Sequence, residues 1–139
     1  MDWKHIADEY EMHSEYEDAI VFLKNSIDEG VGEAEIYVRL IYLTHHFLLE
    51  EDYPKYKEKF YEDLLRVIFN VSRIRFKDNA EYLFFIGYIL NIAEWLFGIE
   101  DEEDKTTHER MAFRMSRKAY ELEPDNCLYE WGWRLTQKD

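Results

Sequence analysis

Chain breakers are scarce in this sequence, and most of them stand between stretches of helical apolar spacing. Its 139 residues include five glycines and two prolines. Between the breakers, apolar residues recur every three or four positions, as Ile36, Leu40, Leu43 and Phe47 do. That period is typical of a helix with one buried side, so we predict an all-α fold of about seven helices. The predicted helices cover residues 2–13, 14–28, 33–49, 54–75, 80–97, 106–122 and 125 or 126 to the C-terminus.

Capping signals support several of these boundaries. Ser14 followed by Glu17 has the spacing of a capping box and predicts the start of the second helix. Asp78 or Asn79 is expected to cap the fifth helix, and Asp125 or Asn126 the seventh. In the fourth segment, the spacing of Tyr56, Phe60, Leu64, Val67, Val71 and Ile74 predicts a helix.

Composition and charge restrict the class of protein. Hydrophobic residues make up 47% of the chain and aromatic residues 17%, enough for one folded domain over residues 1–139. The net charge is −14, and residues 1–52 hold 14 acidic and 3 basic residues. Such a chain repels nucleic acid and anionic lipid and attracts basic proteins. We therefore expect a protein partner, a basic one, and no nucleic-acid or membrane binding.

Cysteine and hydropathy indicate a cytoplasmic location. Cys127 is the only cysteine, so an intrachain disulfide is impossible, as expected in a reducing compartment. The N-terminal residues 1–13 lack the pattern of a signal peptide. The most apolar segment, residues 83–97, is shorter than the roughly 20 residues that a membrane-spanning helix needs. We interpret that segment as a buried central helix.

Two stretches carry a repeat signal. The first combines Trp3, Ile6, Ala7, Tyr10, Ala19, Leu23 and Ser26. The second is Ala-Tyr-Glu-Leu-Glu-Pro-Asp-Asn at residues 119–126. Both resemble the tetratricopeptide repeat (TPR), in which small residues let two antiparallel helices approach closely and a proline ends the second helix. Repeat starts near residues 1, 34, 80 and 127 depart from the usual period of about 34 residues, because the middle units are longer.

The TPR resemblance implies stacked antiparallel helix pairs, a short superhelix and a concave groove lined by the first helix of each pair. Carried over by position, the groove-facing side chains include Asp8, Glu11, Tyr42, His45, Tyr88, Asn91 and Trp131. For Tyr88 and Trp131, ordinary core packing is the alternative. The acidic run Glu100, Asp101, Glu102, Glu103 and Asp104 is expected to be a solvated loop that clamps a basic partner surface.

Motifs for catalysis or metal binding are weak. His108-Glu109 begins like a zinc-protease motif, but Ala112 stands where the second histidine belongs. His5, Glu9, His13 and Glu17 would share a face only on a continuous helix, which Ser14 is expected to break. The sequence has no glycine-rich phosphate loop, nucleophile elbow or Cys-x-x-Cys motif. We predict a protein that is not an enzyme and needs no cofactor or metal.

Two kinds of binding protein fit these features. Small, acidic, cysteine-poor chains resemble the immunity proteins of bacterial toxin systems, which neutralise basic, nuclease-type toxins. Charge complementarity would then speed association and buried aromatic residues would slow release. The alternative is a TPR-like adaptor or secretion-type chaperone that holds a partner peptide in its groove.

Overall fold

The computed structural model describes residues 2–99 and 110–137. Within those two ranges the chain forms seven α-helices and no β-strand, which confirms the all-α prediction. The helices are α1 (Trp3–Met12), α2 (Tyr16–Asp28), α3 (Ala34–Glu50), α4 (Glu58–Arg75), α5 (Ala80–Ala93), α6 (Met111–Leu122) and α7 (Cys127–Thr136). Two short 3-10 helices, Lys55–Lys57 and Glu94–Phe97, precede α4 and follow α5.

The ends of the helices follow the capping signals with one exception. Asn79 accepts a hydrogen bond from the Tyr82 backbone N–H at 2.9 Å, and Asn126 caps α7 by accepting from the Leu128 and Tyr129 N–H groups. Ser14 is not the cap of α2. Its φ of 58° places it in the left-handed turn that reverses the chain after α1, and an N-cap residue needs an extended backbone instead.

The chain divides into two compact units, Met1–Leu65 and Arg66–Asp139. In the first unit α2 packs against both α1 and α3. Ala7 on α1 and Ala19 on α2 are completely buried, and Trp3 and Leu23 are buried with them. The small side chains of Ala7 and Ala19 therefore belong to the core of the first unit.

In the second unit α6 packs against both α5 and α7, and α5 also contacts α7. Phe69, Tyr82, Ile86 and Phe97 belong to its buried residues. The hydroxyls of Ser72 and Tyr82 hydrogen-bond at 2.6 Å inside this core. The expectations of a single domain and of a superhelical stack stay predictions.

Helix α4 buries a different side from the one that its apolar spacing suggests. Phe60, Val67, Val71 and Ile74 are all more than half exposed, whereas Leu64 of the same stripe is buried. The side chains that α4 does bury include Tyr61, Leu65, Phe69 and Ser72. An apolar stripe along an 18-residue helix is therefore left in contact with solvent.

Hydropathy singles out one segment of the described residues. Residues Ala80–Phe97 are long and apolar enough to cross a membrane by length and composition. Just over half of this segment is buried, and the core helix of a soluble protein passes the same test. This agrees with its interpretation as a central helix of the second unit.

Candidate functional site

Tyr88 and Trp131, two of the predicted groove residues, lie side by side in the second unit. Their ring centroids are 5.9 Å apart and their planes differ by 31°. Tyr88 is 41% exposed and Trp131 is 47% exposed, so neither side chain is buried in the core. Paired, half-exposed aromatic rings are typical of the anchoring residues of protein interfaces.

A close approach of α5 and α7 supports this pair. A Cβ atom added to Gly132 would lie 2.5 Å from Cε1 of Phe84, so glycine is required for the observed spacing. The buried Phe84 ring also packs against Tyr129, with ring centroids 5.0 Å apart. Burial raises the pKa of the Tyr129 phenol.

Helices α5 and α7 run in the same direction. Going along α5, Phe84 contacts Tyr129 and Tyr88 contacts Trp131. Further along, Asn91 lines one pocket together with Leu135. Because the residue numbers rise together on both helices, the two helices are parallel, with α6 joining them as the antiparallel partner.

Further apolar side chains extend the Tyr88–Trp131 pair. Phe85 and Ile92 lie one turn before and one turn after Tyr88 on α5, Trp95 lies in the 3-10 helix that follows, and Leu128 lies one turn before Trp131. Each is at least 38% exposed. We call these six side chains the aromatic face: Phe85, Tyr88, Ile92, Trp95, Leu128 and Trp131. The sequence analysis did not predict four of these residues: Phe85, Ile92, Trp95 and Leu128. Their positions, three, four or seven residues from Tyr88 or Trp131, are the sequence signal that could have identified them.

A pocket of about 340 Å³ opens at the C-terminal end of α5. Asn91, Ile92 and Trp95 line it together with Leu135 and Thr136 of α7. Asn91 is exposed and its amide can both donate and accept hydrogen bonds. Glu94 and Arg110, also in the lining, form an ion pair at 3.9 Å. The pocket thus adds polar groups to one end of the aromatic face.

Asp8 and Glu11 of the first unit are engaged within the protein. Both carboxylates accept hydrogen bonds from the guanidinium of Arg39 on α3. The hydrogen bonds and positive charge of Arg39 lower the pKa of Asp8. Asp8 remains exposed, but the two carboxylates share the charge of one arginine instead of facing solvent unpaired.

Glu17 is held in a similar way. Its carboxylate accepts a hydrogen bond from the Tyr61 hydroxyl at 2.5 Å and from Lys57 Nζ at 2.9 Å. The Tyr61 bond, followed by the Lys57 bond, lowers the pKa of Glu17. This contact ties α2 to the segment that leads into α4 within the first unit.

His45 lies in the core, which corrects the expectation of a surface or groove position. The residue is 7% exposed, and burial is the main cause that lowers its pKa. Its neighbour His46 is accessible and lies between two tyrosine rings, with centroids 4.8 Å from Tyr16 and 6.2 Å from Tyr42. Tyr42 is half exposed, as a residue that meets a partner must be.

Most of the remaining acidic side chains of the first unit are unpaired. Eight of them are exposed and have no ion-pair partner among the described residues: Asp2, Glu9, Glu15, Asp18, Glu29, Glu33, Glu50 and Asp52. We call this set the acidic surface. It retains the negative charge that the sequence predicts for the N-terminal third.

Two sequence predictions concern other parts of the chain. The acidic run Glu100, Asp101, Glu102, Glu103 and Asp104 lies outside the described residues. Helix α1 ends at Met12, so His5, Glu9, His13 and Glu17 do not share one continuous helix. In the part of the chain that the structure describes, no three His, Cys, Asp or Glu side chains are grouped as metal ligands.

Neither a protein-family model nor a curated protein nor a solved structure matches this chain.

Proposed function

We propose that this protein acts by binding another protein, without catalysis, and that the aromatic face is its main contact surface. The observation that carries the proposal is the contact between Tyr88 and Trp131, both half exposed on neighbouring helices. Tryptophan and tyrosine dominate the energetic centres of protein interfaces because they bury large areas with few rotatable bonds. Phe85, Ile92 and Trp95 enlarge the surface that a partner would cover.

The partner class that we propose is a basic protein. The acidic surface of the first unit offers eight carboxylates that have no ion-pair partner in the described part of the chain, and the whole chain carries a net charge of −14. Long-range attraction of this kind accelerates encounter with a basic protein, while aromatic contacts slow dissociation. An inhibitor that binds quickly through charge and dissociates slowly through aromatic contacts has both properties. We therefore propose an immunity protein that neutralises a basic, nuclease-type bacterial toxin in the cytoplasm.

A second candidate is an adaptor or chaperone with a TPR-like groove that holds a peptide. It is favoured by the parallel arrangement of α5 and α7 and by the pocket of about 340 Å³ next to Trp95. In this alternative an extended or helical segment of the partner lies along the aromatic face, and the pocket receives one of its side chains. The two candidates differ in whether a folded protein or a peptide is bound.

Affinity capture from native cell extract, at low and high salt, tests both candidates. The bait variants are Trp131→Ala and, as a control, Tyr56→Ala. The control removes an 80% exposed aromatic ring that belongs to the first unit and not to the aromatic face. Loss of an anchoring tryptophan typically costs about 2 kcal/mol or more, so Trp131→Ala is expected to weaken the complex roughly 30-fold. Tyr56→Ala is expected to bind like the original chain.

The outcomes separate the proposals. A captured basic protein whose toxicity is suppressed by co-expression, and whose association slows as salt screens the charges, supports the inhibitor. Capture of isolated peptides with little salt dependence supports the adaptor. If Trp131→Ala and Tyr56→Ala bind the captured protein equally well, the aromatic face is not the contact surface.

A further inference from the structure

A second surface of the Arg66–Asp139 unit has the opposite charge from the rest of the chain. A pocket of about 370 Å³ lies between the end of α4, the loop after it, α5 and α6. Four cationic side chains surround it, Arg73, Lys77, Arg114 and Lys118. Its floor is apolar and consists of Ile74, Leu83, Met111 and Met115. We call it the cationic pocket, and it shares no residue with the aromatic face.

Helix spacing explains why these side chains meet. Met111, Arg114, Met115 and Lys118 stand at positions i, i+3, i+4 and i+7 of α6 and therefore share one face. The buried methionine Met115 lies next to the α5–α6 contact at Gly87, where an added Cβ would be 3.1 Å from Met115 Cβ. Tight packing of α5 on α6 thus fixes the floor of the pocket.

Among the described residues, only one of the four cations of this pocket has a carboxylate partner. Lys118 pairs with Asp78 at 2.6 Å, but Arg73, Lys77 and Arg114 have no carboxylate within ion-pair distance among the described residues. The described part of this unit, residues 66–99 and 110–137, contains nine Lys and Arg against seven Asp and Glu. A chain of net charge −14 therefore presents a locally cationic site.

Arg73 is the best-positioned cation. Its guanidinium lies 5.4 Å from the centre of the Phe69 ring, and its Nη1 donates to Met111 Sδ at 3.9 Å. Its Nε is buried and has no hydrogen-bond partner in the described part of the chain. A partly buried guanidinium without an anion is costly, and a carboxylate placed beside it recovers charge-assisted hydrogen bonds.

The apolar floor continues along α4. Ile74 is 71% exposed, and Val71 and Val67 carry the exposed stripe back over two turns of the same helix. The stripe from Val67 to Ile74 is about 10 Å long at 1.5 Å per residue. That length equals two turns of a facing helix, and methionine floors adapt readily to the side chains of such a helix.

We propose that the cationic pocket docks an amphipathic acidic helix of a partner protein. Apolar side chains of that helix, spaced three or four residues apart, pack on Ile74, Met111 and Val71. Carboxylates flanking its apolar stripe pair with Arg73, Lys77 and Arg114. The charge excludes a basic peptide from this pocket, and the apolar floor distinguishes it from a surface that binds phosphates alone. The proposal is independent of the aromatic face.

The test uses the full-length chain and designed peptides. The probe is a fluorescein-labelled helical peptide of about 18 residues with a leucine stripe flanked by glutamates, long enough for about five turns. A scrambled peptide of the same composition and a version with lysine for glutamate are its controls. Methyl NMR of the methionines reports the site, because Met111 and Met115 line the pocket, whereas Met12 is an exposed reference that belongs to the other unit.

A matched pair of charge reversals identifies the contacts. Arg114→Glu changes the pocket, and Arg117→Glu changes an exposed arginine three residues later on the same helix. We expect the acidic peptide to shift the Met111 and Met115 signals, Arg114→Glu to weaken binding at least about tenfold and Arg117→Glu to change it less than about twofold. Circular dichroism of both variants is the control for the helical fold, and we expect both spectra to match that of the original chain.

Four results would overturn the proposal. The first is that the methyl signals do not shift at about 1 mM peptide, a concentration at which even a weak complex forms. The second is equal binding of the scrambled peptide, and the third is an equal loss of peptide affinity in Arg114→Glu and Arg117→Glu. The fourth is stronger binding of anionic phospholipid vesicles or single-stranded DNA than of the peptide. The last result would assign the pocket to a lipid surface or a nucleic acid instead.

Discussion

Replacing Gly132 with alanine tests the close approach of α5 and α7 that supports the aromatic face. The new Cβ would lie 2.5 Å from Cε1 and 3.0 Å from Cδ1 of Phe84. Carbon atoms in contact normally lie about 3.5–4.0 Å apart, so the ring or the helix must move by about 1 Å. The ring has little room to move, because it is buried and packs against Phe85 and Tyr129.

Two opposing effects set the size of the change. Overpacking of this kind costs about 1–3 kcal/mol. The higher helix propensity of alanine stabilises α7 by about 1 kcal/mol. Because the Phe84 ring packs against two other rings, we expect the overpacking cost to lie in the upper part of its range, at about 2–3 kcal/mol. After the gain in helix propensity is subtracted, Gly132→Ala is expected to lower the free energy of unfolding by about 1–2 kcal/mol.

A double-mutant cycle with Phe84→Leu isolates the clash. Without the ring, Gly132→Ala is expected to stabilise the protein by about 1 kcal/mol through propensity alone, which gives a coupling of about 2–3 kcal/mol. Urea unfolding followed by tryptophan fluorescence is the assay, since Trp95, Trp131 and Trp133, three of the four tryptophans, belong to the second unit. The reasoning is refuted if Gly132→Ala stabilises the original chain or costs the same in both backgrounds.

Two further predictions concern the first unit. Ala19→Leu is expected to lower the free energy of unfolding by about 1–3 kcal/mol, because Ala19 is completely buried on α2, which packs against both α1 and α3. Val21→Leu, at an exposed position of the same helix, is expected to be neutral in thermal melts. Glu17→Gln is expected to destabilise the protein at neutral pH, because Tyr61 and Lys57 stabilise the ionised carboxylate and lower its pKa below the ordinary value of 4.5. Because the pKa of Glu17 is lowered, its ionised carboxylate stabilises the fold fully above pH 4.5, and this stabilisation is lost as the pH falls from 4.5 through the lowered pKa. The difference in the free energy of unfolding between the original chain and Glu17→Gln should therefore shrink over that range. A difference that is the same in urea titrations at neutral and at acidic pH would contradict the assignment.

Local signals in the sequence were sufficient for the helices and for most of their ends. Asn79 and Asn126 cap helices because the capping bond joins atoms only two or three residues apart, and no distant contact has to be known. The same local logic was wrong for Ser14. There the turn between two packed helices requires a positive φ, and the geometry of the turn overrides the capping pattern.

Properties set by distant contacts were not predictable from one sequence. Asp8 and Glu11 have the spacing of an exposed acidic face, but Arg39, about 30 residues later, pairs with both. His45 and His46 are equally polar in sequence, yet only the three-dimensional packing decides that His45 is the buried one. Tyr88 and Trp131 belong to the predicted site because the TPR resemblance places them, by position, on the groove side of their helices. Their contact itself depends on Gly132, whose role becomes apparent only from the distance to Phe84.

The apolar stripe of α4 explains why periodicity alone can mislead about function. The helix carries apolar residues on two sides, one with Leu65 and Phe69, the other with Val67, Val71 and Ile74. A period of 3.6 fits both sides equally, so the pattern predicts a helix but not the side that it buries. Burial of Leu65 and Phe69 resolves this ambiguity and leaves the other side to solvent. A stripe of branched apolar side chains gains about 25 cal/mol for each Å² removed from water. Its exposure, beside cations that have no carboxylate partner among the described residues, favours a partner whose own apolar stripe is flanked by carboxylates.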